Sequence, residues 1–175
     1  MRKIIICIFL VLTFICSCSE TNKPVSYWLE KEKALWDGKQ YTDPKKAIEY
    51  LNNAIKQEPN NAETYTKRGA AYINLGQYQR AIDDFNKTIG LRQDYASAYN
   101  NRGAAYYSLG QYQQAIDDFN KAIGLQKDYA NAYSNRGTAY LSQGNKELGC
   151  SDAQKACALG NCKSLELAKG KGLCR

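Results

Sequence analysis

The apolar positions of this chain recur with the spacing of one helix face. Tyr78, Ala81, Ile82 and Phe85 fall at i, i+3, i+4 and i+7, which places their side chains on one side of a predicted helix. An apolar stripe with the same helical spacing occupies residues 47–55. The pattern predicts a series of amphipathic helices and an all-α chain.

A period of 34 residues relates these helices to one another. Segments 62–95 and 96–129 are identical at 24 of 34 positions, and a third copy begins at Ala130 and then diverges. Gly76 and Gly110 stand between the two predicted helices of their copies, where glycine favours a left-handed helix cap. Each copy is therefore a predicted helix–turn–helix unit, which buries its apolar face only by stacking on its neighbours.

The shared positions resemble the tetratricopeptide repeat (TPR) pattern. The family's characteristic residues at positions 4, 8, 11, 20 and 24 of the repeat correspond here to Tyr65, Tyr99 and Tyr133; Gly69, Gly103 and Gly137; Tyr72, Tyr106 and Tyr140; Ala81 and Ala115; Phe85 and Phe119. The resemblance implies an α-solenoid of about four repeats with a C-terminal capping helix. Glycine at position 8 is expected to let the two helices of one repeat approach closely.

This pattern divides the chain into seven segments. They are a signal peptide (1–17), a tether (18–26), a divergent first repeat (27–61), two regular repeats (62–95 and 96–129), a degenerate fourth repeat (130–163), and a capping helix with a tail (164–175). In the first repeat, helices are expected from about Tyr27 to Trp36 and from Pro44 to Asn61. The loop between them is longer than in the other repeats.

The N-terminus has the pattern of an export signal. A basic start precedes an apolar run over residues 4–15, which is shorter than the ~20 residues of a membrane-spanning helix. Residues 15–18 then resemble the lipobox of bacterial lipoproteins, which implies cleavage before Cys18 and acylation of its sulfur. The alternative is an ordinary signal peptide, cut after Ser17 or Ser19, which yields a soluble exported protein.

The residue after Cys18 bears on the location of the anchored protein. Ser19 stands where the inner-membrane retention signal of enterobacterial lipoproteins is usually aspartate. The resemblance therefore implies the periplasmic face of the outer membrane.

Composition argues against several kinds of chemistry. The chain has no histidine, which removes the most common general base and metal ligand, and its net charge of +7 is spread along the sequence. No phosphate-binding loop is present, so we expect no enzyme activity, cofactor, metal or nucleic-acid partner. The paired acids Asp83-Asp84 and Asp117-Asp118 are expected on the solvent side of their helices.

Four cysteines near the C-terminus predict a disulfide framework in an exported chain. Cys150 and Cys157 lie seven residues apart on one predicted helix, so ~10 Å separates them and they cannot bond to each other. In an antiparallel hairpin with the capping helix, Cys157 lies near Cys162 and Cys150 near Cys174, which predicts those two bonds. Reduced structural thiols and a metal or redox site are the alternatives.

The TPR resemblance also implies a partner surface on the first helices of the repeats. The expected groove residues are mostly amides and hydroxyls: Thr66, Lys67, Asn74, Asn100, Asn101, Tyr107, Asn131 and Asn135. The implied function is a non-catalytic adaptor that binds a protein or peptide of the cell envelope. The alternatives are an unlipidated periplasmic or secreted binding module and a thiol–disulfide protein that uses the C-terminal cysteines.

We predict that the chain isolated from membranes begins at Cys18 and carries acyl chains there. Mass spectrometry of the intact protein should show the acyl mass, and Cys18→Ser should remove it. An unmodified Cys18, or an N-terminus at Cys18 or Glu20 without added mass, would favour the ordinary signal peptide.

Overall fold

A computed structural model describes residues 23–174 of the chain. The predicted signal peptide, Cys18 and the tether as far as residue 22 lie outside the described residues. The described part contains nine α-helices in chain order, α1 (Val25–Lys33), α2 (Pro44–Gln57), α3 (Ala62–Asn74), α4 (Tyr78–Leu91), α5 (Ala96–Ser108), α6 (Tyr112–Leu125), α7 (Ala130–Ser142), α8 (Lys146–Ala158) and α9 (Lys163–Gly170). None of these helices is long and apolar enough to cross a membrane.

The helices pack in consecutive pairs, which confirms the predicted all-α repeat architecture. Pairs α1–α2, α3–α4, α5–α6 and α7–α8 each form one repeat, and α9 packs on α7 and α8 at the C-terminal end. The first helices α3, α5 and α7 also contact one another, so they form one layer of the molecule. Each repeat therefore packs against the repeats next to it in the sequence, as expected of a solenoid.

Local signals define the helix ends. The Asp43 side chain accepts a hydrogen bond from the Lys46 amide at 3.0 Å and caps α2, which begins with Pro44. Gly76 and Gly110, with φ of 69° and 74°, end the first helices of their repeats. Glycine adopts this left-handed conformation without the steric cost that a Cβ atom brings.

The first repeat differs from its predicted boundaries. Helix α1 begins at Val25, two residues before Tyr27, and ends at Lys33, three residues before Trp36. Its start is held by Gln57, whose Nε2 donates to the Lys23 carbonyl at 2.8 Å. The following loop folds back through a bridge between Trp36 and Tyr41.

Glycine at position 8 brings the two helices of each regular repeat together. A Cβ atom at Gly69 would lie 2.7 Å from Cε1 of Phe85, and one at Gly103 would lie 2.7 Å from Cε1 of Phe119. Both phenylalanine rings are fully buried. The glycines therefore make room for the largest fully buried side chains among the described residues, which offsets their cost of about 1 kcal/mol within a helix.

The degenerate fourth repeat replaces this packing with a closer helix approach. It has Ala153 where the two regular repeats have phenylalanine. Gly137 faces Gly149 across the helix pair, and a Cβ atom at Gly137 would lie 2.9 Å from the Gly149 carbonyl oxygen. Leu141 packs over Gly149, where a Cβ atom would lie 2.6 Å from its Cγ.

A repeated ion-pair network joins the helices of one repeat to the repeat before it. Arg102 of α5 donates from Nε and Nη2 to the two carboxylate oxygens of Asp118 at 2.8 and 2.7 Å, and from Nη1 to Asn86 at 2.6 Å. Two further networks have the same sequence spacing: Arg68 with Asp84 and Asn52, and Arg136 with Asp152 and Asn120.

This network corrects the expectation for the paired acids. Asp83 and Asp117 are exposed, as expected, but Asp84 and Asp118 are buried with 5% and 6% exposure. The prediction of a solvated position was wrong for these two residues because the sequence shows adjacent acids but does not show which one faces an arginine. A buried carboxylate requires such a partner.

Two tyrosine rings complete each arginine site. The Arg102 guanidinium lies 5.6 Å from the Tyr99 ring centre and 5.9 Å from that of Tyr106, both on the same helix. The hydrogen bonds that Arg102 donates to the Asp118 carboxylate raise the pKa of Arg102 above its usual value. The charge is therefore held between a carboxylate and aromatic faces that attract cations.

We predict that Arg102→Met and Asp118→Leu each lower the free energy of unfolding by about 3–5 kcal/mol, because each leaves the other charge, which is largely shielded from water, without its opposite charge. The double variant should lose less than the sum of the single variants. Urea unfolding followed by circular dichroism measures these differences. Asp117→Ala, at the exposed neighbouring acid, is the matched control and should change stability by no more than about 0.5 kcal/mol. Additive losses in the double variant would contradict a coupled pair.

Candidate functional site

The layer of first helices (α1, α3, α5 and α7) forms a surface that we call the A-helix surface. Side chains 35 residues apart contact each other across it: Asn135 donates to Asn100 at 3.0 Å, and the hydroxyls of Tyr107 and Ser142 lie 3.0 Å apart. Because successive first helices lie side by side, this spacing joins a position of one repeat to the position one residue further along in the next repeat. The predicted groove residues therefore lie on one continuous surface.

Some of the predicted groove residues are engaged within the chain. Asn100 is buried, with 6% exposure, and is bonded to both Asn101 and Asn135. The hydroxyl of Thr66 lies 3.2 Å from that of Thr88 and bonds to its own helix. These side chains hold neighbouring helices in register, which leaves less of their hydrogen-bonding capacity for a ligand.

Other predicted residues are more accessible. Asn131 and Asn74 are exposed, although each carboxamide oxygen accepts one bond, from Asn161 at 2.9 Å and from the Tyr41 amide at 3.0 Å. Asn101 is half-buried. Each of these amides keeps further donor or acceptor capacity.

A pocket of about 390 Å³ lies at the N-terminal end of this surface. It is lined by Glu32, Lys33, Trp36, Tyr41, Glu63, Thr66, Lys67 and Ala70. Trp36 is 44% exposed, which is high for such a large apolar side chain. Sequence analysis missed Trp36 because the long loop of the first repeat has no counterpart in the regular repeats.

A buried carboxylate forms the base of this pocket. Glu32 is 2% exposed, accepts a short hydrogen bond from the Tyr41 hydroxyl and pairs with Lys67 Nζ at 3.2 Å. Burial and the Glu32 bond raise the pKa of Tyr41 far above its usual value, so the hydroxyl remains a donor. Lys67 also lies 3.4 Å from Glu63. The positive charge predicted for the groove is thus balanced by two carboxylates.

A second pocket, of about 280 Å³, lies at the C-terminal end. It is lined by Tyr107, Thr138, Leu141, Ser142, Ser164, Leu167, Ala168, Lys171 and Leu173. Helix α9 therefore forms one wall of the A-helix surface as well as capping the last repeat. Leu167 is 56% exposed, so this pocket has an exposed apolar side chain that the repeat pattern did not indicate.

Two disulfides hold this wall in place. The structure contains the pairs expected from spacing, Cys150–Cys174 and Cys157–Cys162, with Cα–Cα distances of 5.6 and 3.9 Å. The first bond ties α8 to the tail beside Leu173, which lines the pocket. A thiol function for these cysteines would require their prior reduction.

The helix pairing and the repeat period by themselves indicate the class of protein. Paired helices with a 34-residue period and a polar A-helix surface are typical of helical repeat proteins that bind other proteins. Family models agree: the tetratricopeptide repeat model matches residues 96–129, and related TPR models match residues 71–110 and 50–83. The chain belongs to the tetratricopeptide repeat family.

Solved structures show the same similarity. The structure of MamA is 28% identical with a TM-score of 0.71, covering 91% of this chain and 86% of MamA. The TPR domain of OM64 from Arabidopsis is 30% identical with a TM-score of 0.61, covering 63% and 92% of the two chains. The first TPR of Spaghetti (RPAP3), bound to the HSP90 peptide SRMEEVD, is 27% identical with a TM-score of 0.60, covering 62% and 88%. Among proteins of curated function, none matches the sequence significantly.

We predict that Cys150→Ala with Cys174→Ala loosens α9. Closing a loop of 24 residues contributes about 3 kcal/mol, against about 2 kcal/mol for the five-residue loop of Cys157–Cys162. Amide hydrogen exchange in Lys163–Gly170 should therefore rise more in the first double variant than in Cys157→Ala with Cys162→Ala, which is the matched control. Equal exchange in wild type and both variants would show that packing alone holds α9.

Proposed function

We propose that this protein is a lipid-anchored adaptor of the cell envelope that binds a partner protein through its A-helix surface. The observation that carries this proposal is the A-helix surface itself, with an open pocket at each end and hydrogen-bonding amides between them. An extended peptide or a helix would place apolar side chains in the pockets. Its polar groups would bond to amides such as Asn101 and Asn131.

One relative supports peptide binding as the function, and its ligand suggests a difference in specificity. The first TPR of Spaghetti (RPAP3) is bound to a peptide with an acidic end, SRMEEVD. In the present chain, Lys67 is paired with Glu32 and Glu63. This pairing disfavours an acidic tail, because the tail would have to displace existing carboxylates. We propose a partner segment with apolar anchors instead.

Membrane attachment rests on the N-terminal sequence. The apolar run, the lipobox-like residues 15–18 and Ser19 support an acylated Cys18 on the periplasmic face of the outer membrane. Two or more acyl chains give stable anchoring, whereas a single chain binds only marginally. The adaptor would then hold its partner at the membrane surface.

Site-specific photo-crosslinking in the cells that make this protein tests the partner surface. A photoreactive phenylalanine analogue replaces Asn101 or Asn131 on the A-helix surface. In matched controls it replaces Gln79 or Gln113, exposed residues of the second helices α4 and α6. We expect the same partner adduct from both A-helix positions and none from the control positions.

A second pair of variants tests the pockets. Trp36→Ala and Leu167→Ala should each weaken the Asn101 adduct, because they remove exposed apolar side chains at the two ends. Leu125→Ala removes a leucine of similar exposure at the end of α6 and should leave the adduct unchanged. Adducts that form equally at A-helix and control positions would move the partner site elsewhere on the molecule.

A further inference from the structure

A pocket that bears unpaired charge among the described residues lies outside the A-helix surface, along the seam between α1 and α2. We call it the seam pocket. Its volume is about 590 Å³, and it shares no lining residue with the pockets of the A-helix surface. The residues that give it its character are three lysines and three aromatic residues: Lys23, Lys46, Lys56, Tyr27, Trp28 and Tyr50.

The charge of the seam pocket is not balanced within the described residues. Lys23, Lys46 and Lys56 face one acid, Glu49, which leaves two net positive charges. Within residues 23–174, none of the three ammonium groups lies within 4.0 Å of a carboxylate, in contrast with Lys67 on the A-helix surface. Three ammonium groups on the lining of one pocket, with a single acid among them, attract anions.

The aromatic residues form a wall beside these charges. The ring centres of Tyr27 and Trp28 lie 5.1 Å apart, and those of Trp28 and Tyr50 lie 6.0 Å apart. Lys23 Nζ lies 5.2 Å from the centre of the Tyr27 ring. Trp28 is 8% exposed, and its indole N–H has no acceptor among the described residues. A water that followed an anion into the pocket would supply the acceptor that this buried donor lacks among the described residues.

The repeat pattern does not require this arrangement. Tyr50 stands 34 residues before Asp84, so the first repeat has an aromatic ring where the later repeats have the buried carboxylate of the ion-pair network. The first repeat still supplies Asn52 to the network through Arg68. The seam of the first repeat therefore has basic and aromatic residues. It lacks the arginine–aspartate pair that balances the charge in the later repeats.

We propose that the seam pocket binds the phosphate group of an anionic phospholipid headgroup. Lysine binds phosphate as a point charge, and tyrosine and tryptophan favour the boundary between water and lipid. Lys23 is five residues from Cys18, so the chain between them spans at most about 18 Å. The choice of a lipid over a free phosphate rests on the proposed anchor at Cys18, which would hold the pocket near the membrane surface.

The test uses the full chain in neutral detergent micelles, with Trp36→Phe so that Trp28 is the single tryptophan. The probes are short-chain phosphatidylglycerol, short-chain phosphatidylcholine, glycerol phosphate and inorganic phosphate. Binding is followed by Trp28 fluorescence and titration calorimetry. We expect saturable binding of phosphatidylglycerol, weaker binding of glycerol phosphate and no saturable binding of phosphatidylcholine.

Charge variants assign the binding to the pocket. Each lysine near an anionic surface contributes about fivefold in affinity, so Lys46→Gln with Lys56→Gln should weaken phosphatidylglycerol binding roughly 25-fold. Lys87→Gln with Lys121→Gln, at exposed positions of α4 and α6, makes the same change of charge away from the pocket and should have little effect. All four lysines are exposed, and circular dichroism confirms folding of the variants.

Each outcome decides the proposal. Equal losses in both double variants, equal binding of phosphatidylcholine, or no binding at all would overturn it. Inorganic phosphate that binds as tightly as phosphatidylglycerol would overturn the lipid assignment and indicate a free phosphate as the ligand. The mass of Cys18 in the same preparation separates the lipid anchor from the headgroup site. An acylated chain that does not bind phosphatidylglycerol refutes only the headgroup site. An unacylated chain that binds it refutes only the anchor.

Discussion

The stack of helices depends on one interaction that recurs with the repeat, the arginine held by an aspartate of its own repeat and an asparagine of the repeat before it. Arg102 satisfies its guanidinium with Asp118 and Asn86, so a single side chain joins three helices. A buried carboxylate without this partner would be strongly destabilising. The bidentate geometry also fixes the relative position of the helices, because the planar guanidinium accepts only a narrow range of orientations. Apolar packing around Phe85 and Phe119 then fills the space that this register defines.

The two ends of the array depart from the regular repeat, and the candidate sites lie there. At the N-terminal end, the long loop places Trp36 and Tyr41 over Glu32 and forms a pocket on the A-helix surface. At the C-terminal end, α9 replaces a further repeat and is held by the Cys150–Cys174 bond. Terminal repeats have no neighbour on one side, so they must protect their apolar faces by other means. The long loop at one end and α9 at the other thus also form pockets that the regular repeats do not form by themselves.

The proposed adaptor and the proposed headgroup site use different surfaces of the first repeat. Lys67 and Glu32 face the A-helix surface, whereas Lys46 and Lys56 face the seam between α1 and α2. Lys67 at the first surface is paired with two acids, whereas Lys23, Lys46 and Lys56 at the second have no carboxylate within ion-pair distance among the described residues. If both proposals hold, the first repeat contacts a membrane and contributes to a partner groove without competition for the same side chains.

The sequence by itself determined the helices, their pairing and the repeat period, because these follow from local spacing and from glycines such as Gly69 and Gly76, whose roles depend on nearby residues. It also indicated the cysteine pairs, since the short hairpin leaves few geometries. Tertiary structure decided which of two adjacent acids is buried, because Asp83 and Asp84 differ only in the direction each faces on the stacked helix. It likewise decided that Asn100 is enclosed by Asn101 and Asn135 and that Trp36 opens onto a pocket. These properties depend on contacts between residues far apart in the chain, and a pattern of residue types along one helix does not contain them.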